Sequence, residues 1–316
     1  MQKSSNRTPW PVLLFLAIYI AAAFCLRQSA PAAPAPSIDP TIDTPSSQPT
    51  APADETDVSN LPAAVPAVSP LVIPVEPYDF SQPAPESKAV DTDYFADAAF
   101  VGDSRTDGLM IYSGVGCGDK YVSNGLSIFQ LDSKKALTIA GESYTLLEAL
   151  SQKQYGKVYL CLGINELGVN NADGFYSSYC SAIDAIRTIQ PNAVIYIQGL
   201  IPLNEEVVAQ TIKRDYLKND RLRLHNDLMR KAAEEKQVVF LDLHSAFVNE
   251  NGELPAEASR DGVHLLKEGY EQWLSYLQTH TVTYEALYPD GAPVVEPSTE
   301  PESALTGEPE NGSVDG

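Results

Sequence analysis

The sequence predicts an α/β protein, a three-layer α/β/α sandwich around a mostly parallel sheet of about five strands. Several short runs are almost wholly apolar and lack in-and-out alternation, as strands covered on both faces must. Helical patterns stand between them, and strand alternating with helix is the order of a parallel sheet. Clusters of polar residues follow the strands, at the sheet end where ligands of such folds bind.

The strands are expected at Ala98–Val101, near Lys120–Val122, at Lys157–Leu162, at Ala193–Ile197 and at Val238–Leu241. Phe175, Tyr179, Ala182, Ile183 and Ile186 fall on one helical face, with Asp173 placed to cap it. Asn219 to Lys236 is rich in good helix formers. Tyr270, Trp273, Leu274 and Leu277 form a last apolar stripe, and His280 follows near a helix end, where a cation favours the dipole.

The chain has 316 residues and a net charge of −21, and that charge is unevenly spread. Residues 28–90 hold 14 of the 24 prolines, and 289–316 hold seven acidic residues and no basic one. Only 91–288, at net −10, has the composition of a packed domain, and its size suits one. So strong an acidic balance disfavours nucleic acid and anionic lipid headgroups as partners.

Lys3 and Arg7 precede an apolar run from Trp10 to Leu26. Residues 1–27 therefore fit a signal anchor or a cleaved signal peptide. An anchor puts the domain outside the cytoplasm at the cell membrane, and cleavage makes it secreted. Residues 28–90, low in aromatics and rich in Pro, Ala, Ser and Thr, are expected to be a disordered linker. The acidic tail 289–316 is expected to be disordered too. Of the four cysteines, Cys161 sits in an apolar strand as a core residue, and Cys117 and Cys180 are a possible pair.

Four clusters stand at strand ends or before the last helix. They are Gly102-Asp103-Ser104-Arg105, Ser123-Asn124-Gly125-Leu126, Gly163-Ile164-Asn165-Glu166 and Asp261-Gly262-Val263-His264. A serine hydroxyl needs a base before it is a useful nucleophile, and histidine steadied by a carboxylate is the usual one. Asp261 and His264, three residues apart, can be prearranged by one turn of backbone. Acyl transfer also needs donors for an oxyanion. The Ser104 amide, a glycine amide and an asparagine side chain can supply them.

In order and spacing these clusters resemble the four blocks of the SGNH, or GDSL-type, hydrolase superfamily, over about 165 residues from Gly102 to His264. The most specific piece is Asp261-Gly-Val-His264-Leu. The resemblance implies a flavodoxin-like sheet and a serine esterase, with Ser104 as nucleophile, His264 as general base and acid, and Asp261 orienting it. It places Ser104, Gly125 and Asn165 in the oxyanion hole, with Gly141 the nearby rival to Gly125. It implies no metal and no organic cofactor. Acyl esters of glycans, O-acetylated sugars or lysophospholipids are the implied substrates.

Two positions depart from the pattern. Arg105 stands where leucine is usual, and Glu166 where aspartate is usual. Both are candidate substrate-binding residues. Arg105 can hold a substrate carboxylate or pair with Asp107 or Glu166.

Other readings weigh less. An acyltransferase passing the acyl group to a glycan hydroxyl would use the same residues. A silent glycan-binding module would not need an intact triad. Asp242-Leu-His244 has metal-ligand spacing, but four histidines hardly suffice for a metallophosphoesterase. His225, beside Leu222 and Met229 on one helix, reads as packing. A serine after a strand often caps the next helix, which is the bland alternative for Ser104. Oligomeric state is not legible.

Overall fold

A computed structural model describes residues 77–295. Segment 1–27, most of 28–90 and most of 289–316 lie outside the described residues. Among the described residues no helix is long and apolar enough to cross a membrane.

Among the described residues seven strands follow in chain order: β1 (Ala98–Gly102), β2 (Asp119–Val122), β3 (Leu137–Ile139), β4 (Glu142–Tyr144), β5 (Lys157–Cys161), β6 (Val194–Gln198) and β7 (Val239–Leu241). Five of them form one parallel sheet in the order β2-β1-β5-β6-β7. The α-helices among the described residues are α1 (Ser104–Tyr112), α2 (Leu146–Leu150), α3 (Ala172–Ile189), α4 (Glu205–Thr211), α5 (Asn219–Glu235), α6 (Leu243–Phe247), α7 (Lys267–Thr279) and α8 (Tyr284–Leu287).

The apolar runs are explained by burial on both faces. Neighbouring residues of a strand point to opposite sides. Val101, Leu160 and Ile197 join one core with α3 and α5, while Phe100, Tyr159 and Tyr196 join another with α1 and α7. The expected stripe of Tyr270, Trp273, Leu274 and Leu277 is the buried face of α7.

Two local expectations need correction. Asn171, not Asp173, caps α3, its side chain accepting the Gly174 N–H at 2.9 Å. The antiparallel pair β3–β4 has no counterpart among the expected strands. Its turn, Ala140-Gly141, has φ of 52° and 90°, which places Gly141 in a hairpin.

The linker boundary also moves. Within the expected linker 28–90, residues from 77 onward lie against the domain. Ala84 N–H donates to Phe240 O at 2.8 Å on edge strand β7, and Val90 N–H donates to Gln278 O at 3.0 Å. Tyr78 and Phe80 pack against the core beside Tyr288. Averaged composition concealed these few apolar anchors at the end of a proline-rich stretch.

The sheet order fixes where a site can form. From β1 the chain turns outward to β2, then crosses back to β5 and continues to β6 and β7. The direction reverses between β1 and β5, and the carboxyl ends of those strands flank the crevice where such sheets bind ligands. Ser104 follows β1 and Asn165 follows β5.

Candidate active site

Helix α1 starts directly from β1 through Asp103, which is its cap; Ser104 is the first helical residue. Asp103 accepts the Arg105 N–H at 3.0 Å with one carboxylate oxygen and Asn165 Nδ2–H at 3.1 Å with the other. Burial raises its carboxyl above the ordinary range, against the pull of the Arg105 amide and guanidinium. Ser104 N–H, one of the amides a helix start leaves without an intrahelical partner, donates to no acceptor among the described residues.

The loop 259–264 brings the histidine over this turn. Ser104 Oγ lies 2.9 Å from His264 Nε2, and His264 Nδ1 lies 2.7 Å from Asp261 Oδ2. The other Asp261 oxygen accepts backbone N–H groups from Val263 (2.9 Å) and His264 (2.8 Å). Burial alone would raise the Asp261 carboxyl, but the hydrogen bonds from the His264 ring and these amides outweigh it and hold it well below the usual range. An ionised carboxylate only accepts, so Nδ1 carries the ring proton and Nε2 is left to accept from the serine hydroxyl.

That loop is shaped by residues beyond the pair. The Ser259 hydroxyl donates to His264 O at 2.6 Å and accepts Gly262 N–H at 2.9 Å. Gly262 has φ of +81°, and a Cβ there would stand 2.5 Å from Asn204 O, so only glycine fits. Thr211 Oγ1 donates to Asp261 O at 3.1 Å.

The segment after β2 carries Gly125 at φ +71°, exposed, its N–H bound to no described acceptor. Asn165 differs. Its Nδ2 donates to Leu126 O at 3.0 Å as well as to Asp103, so both amide hydrogens are engaged.

The family model for the GDSL-like lipase/acylhydrolase family matches residues 100–272, the span that contains all of these groups. The chain belongs to that family. It is an ester hydrolase of the GDSL type. No curated protein matches its sequence. Among solved structures, a GDSL-like lipase from Bacteroides thetaiotaomicron is similar at 16% identity and TM-score 0.45, over 60% of this chain and 89% of that one. The periplasmic domain of a lipopolysaccharide acetyltransferase from Salmonella ser. Paratyphi A is similar at 15% identity and TM-score 0.43, over 57% of this chain and 82% of that one. A peptidoglycan O-acetylesterase is similar at 22% identity and TM-score 0.38, over 51% of this chain and 45% of that one. At these identities no substrate or acceptor transfers from those proteins to this GDSL hydrolase.

Both candidate substrate-binding residues are corrected. Arg105 is 2% exposed and donates from Nη2 to Ile201 O at 2.9 Å. It pairs with neither proposed carboxylate, since Asp107 is bridged by Lys120 at 2.7 Å. It is the second residue of α1 and points into the packing below the site. Glu166 is 1% exposed and accepts Ile128 N–H at 2.5 Å, so it too faces inward.

Of the other polar candidates, His225, Asp242 and His280 have structural partners, while His244 Nε2 is buried without one among the described residues. His225 is buried, stacked on Phe175 with ring centroids 4.1 Å apart, and Nδ1 meets Gly163 O at 3.3 Å. Asp242 caps α6 by accepting Ser245 N–H at 3.1 Å. His280 sits at the end of α7, its Nδ1 2.9 Å from Tyr276 O. Burial pushes the Cys161 thiol up to about 12. Cys117 and Cys180 are both free.

Sequence reasoning passed over Ser259, Asn204 and Thr211. A serine two positions before Asp261 is the one signal the sequence carries. Asn204 and Thr211 reach the loop from α4 and the residue before it, and no spacing announces that.

Proposed function

We propose that this hydrolase is a serine esterase acting through an acyl-Ser104 intermediate. The relay from Ser104 Oγ through His264 to Asp261, with steps of 2.9 and 2.7 Å, carries the proposal. Ser104 Oγ attacks the ester carbonyl carbon while His264 Nε2 takes the hydroxyl proton. Asp261 steadies the imidazolium without itself taking a proton. The tetrahedral oxyanion is met by the Ser104 and Gly125 N–H groups, with Asn165 sharing one of its amide hydrogens. On collapse, the C–O bond to the alcohol breaks and His264 returns the proton to the departing oxygen. Water then attacks the acyl-enzyme, gives its proton to His264, and the acid leaves as Ser104 recovers its hydrogen.

The site is open. The side chains of His264 and Asp261 are 42% and 35% exposed, and Gly125 and Asn165 stand at the surface. This supports a short acyl ester, such as O-acetyl, carried on a large molecule that approaches from solvent. An extracytoplasmic glycan is the substrate class we propose. The apolar run 10–26 after Lys3 and Arg7 supports that location. A serine-directed fluorophosphonate probe tests the assignment. Labelling should vanish in Ser104→Ala and fall sharply in His264→Ala; labelling that survives Ser104→Ala overturns it.

A further inference from the structure

We propose that Glu166 is a positioning residue for the oxyanion hole, fixing the segment 123–128 so that the Gly125 amide faces Ser104. The proposal rests on the roles of Ser104 and Gly125 proposed above.

Gly125 has nothing of its own to hold it. It has no side chain, it is exposed, and a Cβ built there would meet no atom within 4 Å. Its position is therefore inherited from its neighbours, and they are tied at three points. Ser123 N–H donates to Gly102 O at 3.2 Å, at the end of β1 and two residues before Ser104. Asn165 Nδ2 donates to Leu126 O at 3.0 Å. Ile128 N–H donates to Glu166 Oε1 at 2.5 Å. Leu126 N–H closes back on Ser123 O at 3.0 Å, which sets the turn at Gly125. Two adjacent residues after β5 thus grip the segment after β2, one on each side of Ser127.

The chemistry of residue 166 argues against simple filling. A buried carboxylate is costly unless it makes strong hydrogen bonds. Here Oε1 accepts the Ile128 N–H, while Oε2 has no partner among the described residues. Burial raises this carboxyl above its ordinary range, with the Ile128 amide and the Ser127 hydroxyl pulling against it. An apolar side chain would fill the space at lower cost. What it could not do is accept the Ile128 N–H. Glutamate also reaches one methylene further than the aspartate that the family resemblance leads one to expect, so the acceptor is matched to where this segment runs.

The test uses the full chain hydrolysing p-nitrophenyl acetate, with binding of a trifluoromethyl ketone, whose hemiketal oxygen would occupy the hole. Glu166→Leu should lower kcat roughly hundredfold, with KM within about twofold of wild type. Its ketone affinity should weaken by a similar factor. Glu166→Gln, which keeps a carbonyl oxygen for Ile128, should restore most of that loss. Glu166→Asp, with the acceptor withdrawn, should fall between them, and it serves if the leucine variant does not fold. Wild-type kcat in Glu166→Leu or Glu166→Asp overturns the proposal. So does a loss in Glu166→Gln equal to that in Glu166→Leu. Ser104→Ala separates the two levels. If it keeps activity, the nucleophile assignment fails; if it is inactive while Glu166→Leu is normal, only the role of Glu166 fails.

Discussion

The Ser259 hydroxyl donates to the carbonyl oxygen of His264 at 2.6 Å, so the histidine is held by its backbone as well as by its ring. The same hydroxyl accepts Gly262 N–H at 2.9 Å, in a loop closed by the bridge between Ser259 and Leu265. Removing it leaves a buried amide unsatisfied, at a cost of about 1–3 kcal/mol. Ser259→Ala should therefore melt several degrees lower and lose about tenfold in kcat, as His264 gains freedom relative to Ser104. Thermal melts and steady-state kinetics check this; unchanged kcat at lowered Tm would make Ser259 structural only.

Two glycines with similar backbones should respond differently. Gly262 has φ +81° and a filled environment, with Val208 Cγ2 2.7 Å and Asn204 O 2.5 Å from a built Cβ. Gly125 has φ +71° and open space. The left-handed conformation alone costs an alanine about 1–2 kcal/mol. Gly125→Ala should pay only that and remain folded. Gly262→Ala should lose clearly more in chemical denaturation and displace the Asp261–His264 loop. Equal stability of the two variants would contradict the packing argument.

Two carboxylates should make opposite contributions to pH-dependent stability. Asp261 is held below its ordinary value in the folded state. Its contribution is present above the unfolded value, about pH 4, and is lost as pH falls through the lower folded value. Glu166 is raised by burial, so its contribution is full below its unfolded value and is lost as pH rises through the folded one. Relative to wild type, Asp261→Asn should look least harmful at low pH. Glu166→Gln should improve as pH rises from about 4 toward 7. Urea denaturation across that range gives both slopes, and parallel curves would refute the assignment.

How far the sequence disclosed this site follows from the kind of interaction involved. The strands were readable because burial on both faces leaves no alternation, as at Val158, Tyr159 and Leu160. The pairing of Asp261 with His264 was readable because it lies within one turn. Contacts between distant segments were not. Glu166 meets Ile128 across 38 positions, and Arg105 meets Ile201 across 96. Both side chains are charged, and a charge in sequence suggests solvent or substrate. Only the structure reveals that each is spent on a backbone group inside.

The shifted linker boundary gives a last prediction. A chain truncated to begin at residue 77 keeps Tyr78, Phe80 and Ala84 on the domain, and one beginning at residue 91 loses them. The loss removes the hydrogen bond from Ala84 N–H to Phe240 O and bares the edge of β7. It also uncovers apolar surface around Tyr288. Two partly buried aromatic side chains contribute about 3 kcal/mol together. For a domain of this size that corresponds to roughly 10 °C in Tm. An open edge strand also invites pairing with a second molecule. The shorter chain should therefore melt lower and associate at high concentration, while the longer one stays close to the full-length protein. Differential scanning calorimetry with light scattering decides it: equal melting and scattering would show that residues 77–90 rest on the domain without stabilising it.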